Sequence, residues 1–278
     1  MSLFDNLPKR VLKPSEIDRI LSENREWWRL TGSTTTRDFL EFLMNKGELV
    51  SYTFNLPHRK ETRYVWGEVS DYEVMLSLKP DCYLTHFTAM YLHELTLQVP
   101  KTIYINQEQP AKRFRDKNLT QERIDNAFRR PPRLSRNVAV FKDKRVCILN
   151  GMHTGRNGVI ELTGDLGDSL PVTSIERTLI DITVRPAYSG GVRRVSEAYR
   201  EARDRVSVNR LCGLLSDLNY IYPYHQAIGF YIEKSGVYTD QQIALLDSIG
   251  KQFDFYLTYQ MRDADYSPRW RLFYPTGF

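Results

Sequence analysis

Thr35-Thr36-Arg37-Asp38-Phe39-Leu40-Glu41-Phe42-Leu43-Met44-Asn45-Lys46-Gly47 is followed, after Glu48, by Leu49-Val50-Ser51-Tyr52-Thr53-Phe54. The period of the apolar positions changes between the two. Phe39, Phe42 and Leu43 sit at i, i+3 and i+4, one face of a helix. Gly47 fits the position just past a helix end, where the chain turns left-handed. The Leu49–Phe54 run is rich in strand formers. Tyr64-Val65-Trp66 has the same character beyond a polar loop, Asn55-Leu56-Pro57-His58-Arg59-Lys60-Glu61. A helix leading into a β-hairpin with a basic tip is the expected structure.

Upstream, Ser15 is a good N-cap for a helix through Ile17, Ile20 and Leu21. Arg25 to Leu30 adds a second short helix, and Thr31-Gly32-Ser33-Thr34-Thr35-Thr36 is rich in turn and cap residues. Three short helices followed by a hairpin is the winged helix-turn-helix order, in which the third helix enters the major groove. The expected fold class is therefore α+β. A winged helix-turn-helix domain is expected over residues 1–72 and a larger mixed α/β antitoxin-type domain over residues 73–278. A small α+β domain with no nucleic-acid role has the same local pattern.

The remaining chain alternates strand and helix signals. Leu84 to Leu95 reads as a helix, Thr102 to Asn106 as a strand, and Val138–Phe141 with Val146–Leu149 as a hairpin. Val159–Thr163 is a further strand. Thr173 and Glu176 have capping-box spacing at the start of a helix that ends before Pro186. Helices follow near 191–204, 208–218, 224–234 and 240–251, the last opened by the pair Thr239 and Gln242. Phe253–Tyr259 and Arg269–Phe273 close the chain as strands.

At 278 residues, with 41% hydrophobic and 26% charged side chains, the chain can bury a sizeable core. Met1 to Arg10 lacks a basic start followed by an apolar stretch, and no run is long and apolar enough for a membrane span. Three widely spaced cysteines, Cys82, Cys147 and Cys212, fit reduced thiols in the cytoplasm.

Charge is unevenly distributed. The whole chain is +5, residues 1–75 are −1, and residues 101–150 hold 13 Lys and Arg against 5 Asp and Glu, or +8. A concentrated basic segment points to a polyanion partner, although a solvated loop has the same composition. Thr34, Thr35, Thr36 and Arg37 open the third helix, where hydroxyls, helix amides and a guanidinium suit phosphates and base edges. His58, Arg59, Lys60 and Arg63 give the hairpin a cationic cluster. Arg113, Arg115, Arg129 and Arg130 would extend a phosphate-contacting face onto the second domain, or meet an acidic protein. For the threonines the competing role is plain helix capping, and for the hairpin cluster a solvated tip.

Catalytic signatures are absent: no GxGxxG, no GxxxxGK[ST], no GxSxG and no HExxH. Cys82, His86 and His93 are the nearest metal-like grouping, but a structural zinc needs about four ligands. Glu161 and Asp165 are paired carboxylates without the nearby lysine a nuclease would use. No enzyme, no cofactor and no metal are expected.

Tyr83-Leu84-Thr85-His86-Phe87-Thr88-Ala89-Met90-Tyr91-Leu92-His93-Glu94-Leu95-Thr96, running on through Val99-Pro100-Lys101-Thr102-Ile103-Tyr104-Ile105, resembles a stretch typical of AbiEi antitoxins. Pro171-Val172-Thr173-Ser174-Ile175-Glu176-Arg177-Thr178-Leu179-Ile180-Asp181 resembles a second motif of that family, with Ile175 where proline is usual. The likeness runs from about Leu49 to the C-terminus. It implies a winged-helix N-terminal domain, an antitoxin that represses its own operon by binding inverted repeats in double-stranded DNA, and a nucleotidyltransferase-type toxin as partner. It also singles out His86, Tyr91, His93, Glu176, Arg177 and Asp181, either as an internal polar network or as toxin-countering residues. The competing expectation is a protein-interaction subunit of a phage-defence complex that does not bind an operator.

Overall fold

A computed structural model describes residues 2–111 and 118–278. The first elements are α1 (Ser2–Asp5), β1 (Val11–Leu12), α2 (Pro14–Asn24), α3 (Thr36–Asn45), β2 (Leu49–Leu56) and β3 (Arg59–Trp66). Pro14 occupies the first turn of α2, where a missing N–H costs nothing, and Glu16 accepts from the Lys13 amide at 2.6 Å. Thr35 caps α3: its hydroxyl accepts from the Asp38 amide, and Asp38 Oδ2 accepts from the Thr35 amide at 2.9 Å. Gly47 ends that helix with φ +79°.

The helix expected over Arg25–Leu30 is instead a tight turn. Arg29 takes φ +53°, and the Leu30 amide donates to the Arg25 carbonyl. The chain reverses there because Leu30 and Trp28 pack against the core formed by Phe4, Ile17, Leu21, Phe39, Leu43 and Trp66.

β2 and β3 pair antiparallel from Leu49↔Trp66 to Leu56↔Arg59, leaving Pro57-His58 as a two-residue loop. β1 joins on the far side of β3, giving the sheet order β1-β3-β2. Successive side chains point to opposite faces, so Trp66 packs on the helices while Val65 belongs to a second core. That second core continues through Phe54 and Leu56 to the next sheet.

The rest of the chain adds α4 (Asp71–Leu76), β4 (Tyr83–Leu84), α5 (His86–Leu92), β5 (Thr102–Glu108), α6 (Gln121–Arg129), β6 (Val138–Phe141), β7 (Lys144–Gly151), β8 (Val159–Thr163) and β9 (Ser169–Thr173). Then come α7 (Ile175–Val184), a 3-10 turn (Pro186–Tyr188), α8 (Val192–Glu201), α9 (Val208–Leu218), α10 (Tyr224–Ser235), α11 (Asp240–Asp247), β10 (Phe255–Tyr256), β11 (Ala264–Ser267) and β12 (Leu272–Pro275). Six strands form a mixed sheet in the order β6-β7-β5-β4-β9-β8, and the last three form a small sheet, β10-β12-β11. The chain is thus a mixed α+β protein. No helix of the described residues is long and apolar enough to cross a membrane.

α7 is the central helix, buried from Glu176 through Thr183. Its N-cap is Ser174, which accepts from the Arg177 amide, and not Thr173 as the spacing suggests; the Thr173 hydroxyl pairs with Thr178 at 2.8 Å. The expected Leu84–Leu95 helix begins only at His86, because Tyr83 and Leu84 pair with β5. In α10, Gly229 lets the Trp270 ring lie on the helix: a Cβ there would sit 2.1 Å from the ring.

Candidate functional site

At the first turn of α3 the hydroxyls have internal partners. Thr34 pairs with Thr31, Thr35 is the cap, and Thr36 donates to Asp18 Oδ1 at 2.5 Å. Arg37 is 86% exposed at its side chain and lies 3.1 Å from Glu41. Asp18, Asp38 and Glu41 therefore rim the helix N-terminus expected to meet phosphate.

At the hairpin, His58 sits in the exposed two-residue loop, with exposed Arg59 and Lys60 beside it. Arg59 lies 2.6 Å from Glu61. Arg63 does not belong to this exposed cluster. It is 3% exposed, donates to the Ser77 carbonyl and hydroxyl, and pairs with Glu61 at 2.6 Å. Arg63 and Val65 share one side of the strand, the side that packs on the second core, but alternation alone does not reveal this because Trp66 on the other side is buried too and Arg59 on the same side is exposed.

Arg129 and Arg130 are exposed at the end of α6, where Arg129 borders a cleft with Tyr256, Gln260 and Arg262. Arg113 and Arg115 lie outside the described residues.

Of the motif residues, Arg177, Asp181 and His86 lie on one buried polar chain, Glu176 and His93 make separate buried hydrogen bonds, and Tyr91 is only half-buried. Arg177 Nε donates to Asp181 Oδ1 at 2.8 Å, with both side chains buried. Burial works against the Arg177 charge, but Asp181 more than offsets it and holds the guanidinium above its ordinary value. Arg177 Nη1 also donates to the Asn157 carbonyl at 2.5 Å and to Thr154. Thr154 in turn donates from its hydroxyl and amide to Glu108, which also accepts from Tyr83 at 3.0 Å. Burial would raise the Glu108 carboxyl, yet the Thr154 and Tyr83 donors keep it below the ordinary value. Glu176 accepts from Ser174 and from the Ser207 amide, tying α7 to the start of α9.

Asp181 Oδ2 accepts from the Thr85 hydroxyl at 3.1 Å, and Thr85 Oγ1 lies 3.0 Å from His86 Nδ1. His86 is 8% exposed and takes φ +53°, a left-handed value costly for a non-glycine residue. Burial pushes its pKa down to about 4, against the pull of Asp181. His93 is held below its usual value by burial too, and its Nε2 donates to the Thr173 carbonyl at 2.6 Å. Tyr91 is half-buried at the end of α5.

Cys82, His86 and His93 therefore have separate partners, the Cys82 thiol donating to the Leu76 and Lys79 carbonyls. Among the described residues no group of three or more His, Cys, Asp or Glu side chains is placed to hold a metal ion. Glu161 accepts from Ser169 at 2.7 Å on the β8–β9 hairpin.

Next to this chain is a pocket of about 310 Å³ at the 3-10 turn and the end of β7. His86, Asn106, Arg133, Ser135, Arg185 and Tyr188 contribute to its wall. Sequence reading missed it because its members are drawn from five distant segments.

No family model matches the chain, and no curated protein matches it. Among solved structures, the chain is similar to the crystal structure of the Rv2827c protein from Mycobacterium tuberculosis. That likeness has a TM-score of 0.60 at 19% identity and covers 98% of this chain and 88% of the other, a likeness of fold.

Proposed function

We propose that this protein is an antitoxin and transcriptional autorepressor of a bacterial defence locus. A winged helix-turn-helix region over residues 1–72 binds inverted-repeat operator DNA. An α/β region over residues 73–278 counteracts a nucleotidyltransferase-type toxin, and the protein works in the cytoplasm without being an enzyme. The observation that carries the DNA-binding half is chain order: helix, strand, helix, helix, hairpin, with the first strand paired to the second hairpin strand in the order β1-β3-β2. That is how a winged domain presents its third helix and its hairpin on one side. The antitoxin half rests on the resemblance of the His86 and Arg177 motifs to AbiEi antitoxins.

The test has two arms. Labelled DNA from upstream of the native gene is titrated with the protein against random DNA of equal length, and the neighbouring gene is expressed with and without it. Preferential retention of a fragment holding an inverted repeat, together with restored growth, is the expected result. Equal retention of both DNAs removes the repressor.

One observation favours a second reading, a protein-interaction subunit without operator binding. Asp18 and Glu41 engage Thr36 and Arg37, the residues expected to meet DNA. That reading expects no preference for upstream DNA and capture of the neighbouring gene product.

A further inference from the structure

The pocket beside His86 has the wall of an anion site. Arg133 and Arg185 both border it, and no carboxylate among the described residues does. Arg185 donates one N–H to the Arg133 carbonyl at 3.2 Å, and neither guanidinium has an ion-pair partner among the described residues. Two planar guanidiniums with free donors suit a phosphate better than a neutral ligand.

His86 supplies a second, independent observation. Asp181 is paired with Arg177, so it takes the Thr85 proton, and the Thr85 oxygen is left to accept from His86 Nδ1. That order assigns the neutral ring with its proton on Nδ1 and a lone pair on Nε2. Nε2 is buried and has no partner among the described residues. The Tyr188 and His86 rings meet edge to face, centroids 5.3 Å apart. A buried acceptor of this kind repels an oxyanion and calls for a donor.

We propose that this pocket binds a small phosphate monoester carrying a free hydroxyl, about the size of a pentose phosphate. Arg133 and Arg185 hold the phosphate, and His86 Nε2 accepts the hydrogen bond of the hydroxyl. A cavity of about 310 Å³ is at the small end for ligand pockets and matches such a molecule. The site is separate from the DNA-binding reading and does not depend on it.

Calorimetric titration of the full-length protein with ribose 5-phosphate, inorganic phosphate and ribose tests this. Ribose 5-phosphate binds saturably, inorganic phosphate binds about tenfold more weakly for want of the hydroxyl, and ribose gives no saturable heat. Arg133→Gln, a change at an exposed side chain, weakens ribose 5-phosphate about tenfold while the circular dichroism spectrum stays that of the parent. In parallel, the 15N resonance of His86 Nε2 moves from that of a bare acceptor when ribose 5-phosphate is added. No saturable binding of ribose 5-phosphate at millimolar concentration overturns the proposal. So does unchanged affinity in Arg133→Gln, equal affinity for inorganic phosphate, or an unmoved Nε2 resonance.

Discussion

Phe54 on the hairpin lies face to face with Phe141 on β6, ring centroids 5.2 Å apart and planes 8° from parallel. Tyr52 meets the same Phe141 ring edge-on at 5.0 Å. Beside them, Asp71 accepts from Lys142 at 2.6 Å and from Lys144 at 3.0 Å. One hairpin thus serves two cores, Trp66 facing the N-terminal helices and Phe54 facing the large sheet. The hairpin is consequently held in a fixed relation to that sheet.

Phe141→Ala is expected to cost about 3–5 kcal/mol, the range for emptying a buried aromatic site. Because the cavity opens between hairpin and sheet, hydrogen exchange should accelerate in both β3 and β7. Urea denaturation with exchange mapping checks this. Loss of protection confined to β6 and β7 would show that the hairpin does not depend on this contact.

Asp181→Asn keeps size and shape but leaves the buried Arg177 guanidinium without its counter-charge. The expected loss is about 3–5 kcal/mol. Arg177→Met combined with Asp181→Leu should cost less than the sum of the two single changes, since removing both charges removes the unpaired one. A denaturant double-mutant cycle measures the coupling, and simple additivity would argue against an interacting pair.

How far the sequence disclosed all this depended on how local each feature is. The Thr239–Gln242 capping pair and the helix over Val208–Leu218 involve neighbours in the chain, so spacing alone predicts them. Ser174 displaced Thr173 as a cap through tertiary contacts: the Thr173 hydroxyl pairs with Thr178 and its carbonyl accepts from His93. The expected strand over Phe253–Tyr259 shrinks to Phe255–Tyr256, where β12 is available to pair. The pocket that joins His86, Arg133 and Arg185 exists only because β7, α5 and the turn after α7 converge. No local pattern announces such a meeting.

Stability should fall on mild acidification because of buried neutral histidines. Burial pushes both His86 and His225 from 6.5 to about 4 and lowers His93 as well. Unfolded, these rings take up protons near 6.5; folded, His86 and His225 resist until about 4. The unfolded state therefore binds more protons in that window, and the stability they contribute is complete above it and is lost as pH falls through it. Asp71 and Glu108, held below 3.8 and 4.5, add their losses only at lower pH, while the raised Glu73 opposes the trend. The urea midpoint should drop steadily between pH 6.5 and 4.5. A flat midpoint across that interval would mean that the rings are hydrated in the folded protein.

The proposed DNA binding gives the last prediction, and it rests on the distribution of charge. Residues 1–75 sum to −1, and the first turn of α3 is rimmed by Asp18, Asp38 and Glu41. Arg63 is buried, so the first region offers Arg37, Arg59 and Lys60 as exposed cations near the helix and hairpin, two of them beside carboxylates. So few phosphate contacts give weak binding, since each contributes a slope of only about 0.9 in log affinity against log salt. Arg129 and Arg130, exposed at the end of α6 in the +8 segment, are the next cations expected to contribute. Changing both to Ala should weaken binding to every sequence and flatten the salt slope by about 1–2. Under the proposed winged-helix reading, Arg37→Ala should instead narrow the gap between operator and random DNA, because that reading puts an arginine at the start of the third helix against base edges. Fluorescence anisotropy at several salt concentrations separates the two effects. An unchanged slope in the Arg129 and Arg130 double variant would assign the basic segment to an acidic protein face, the toxin being the first candidate.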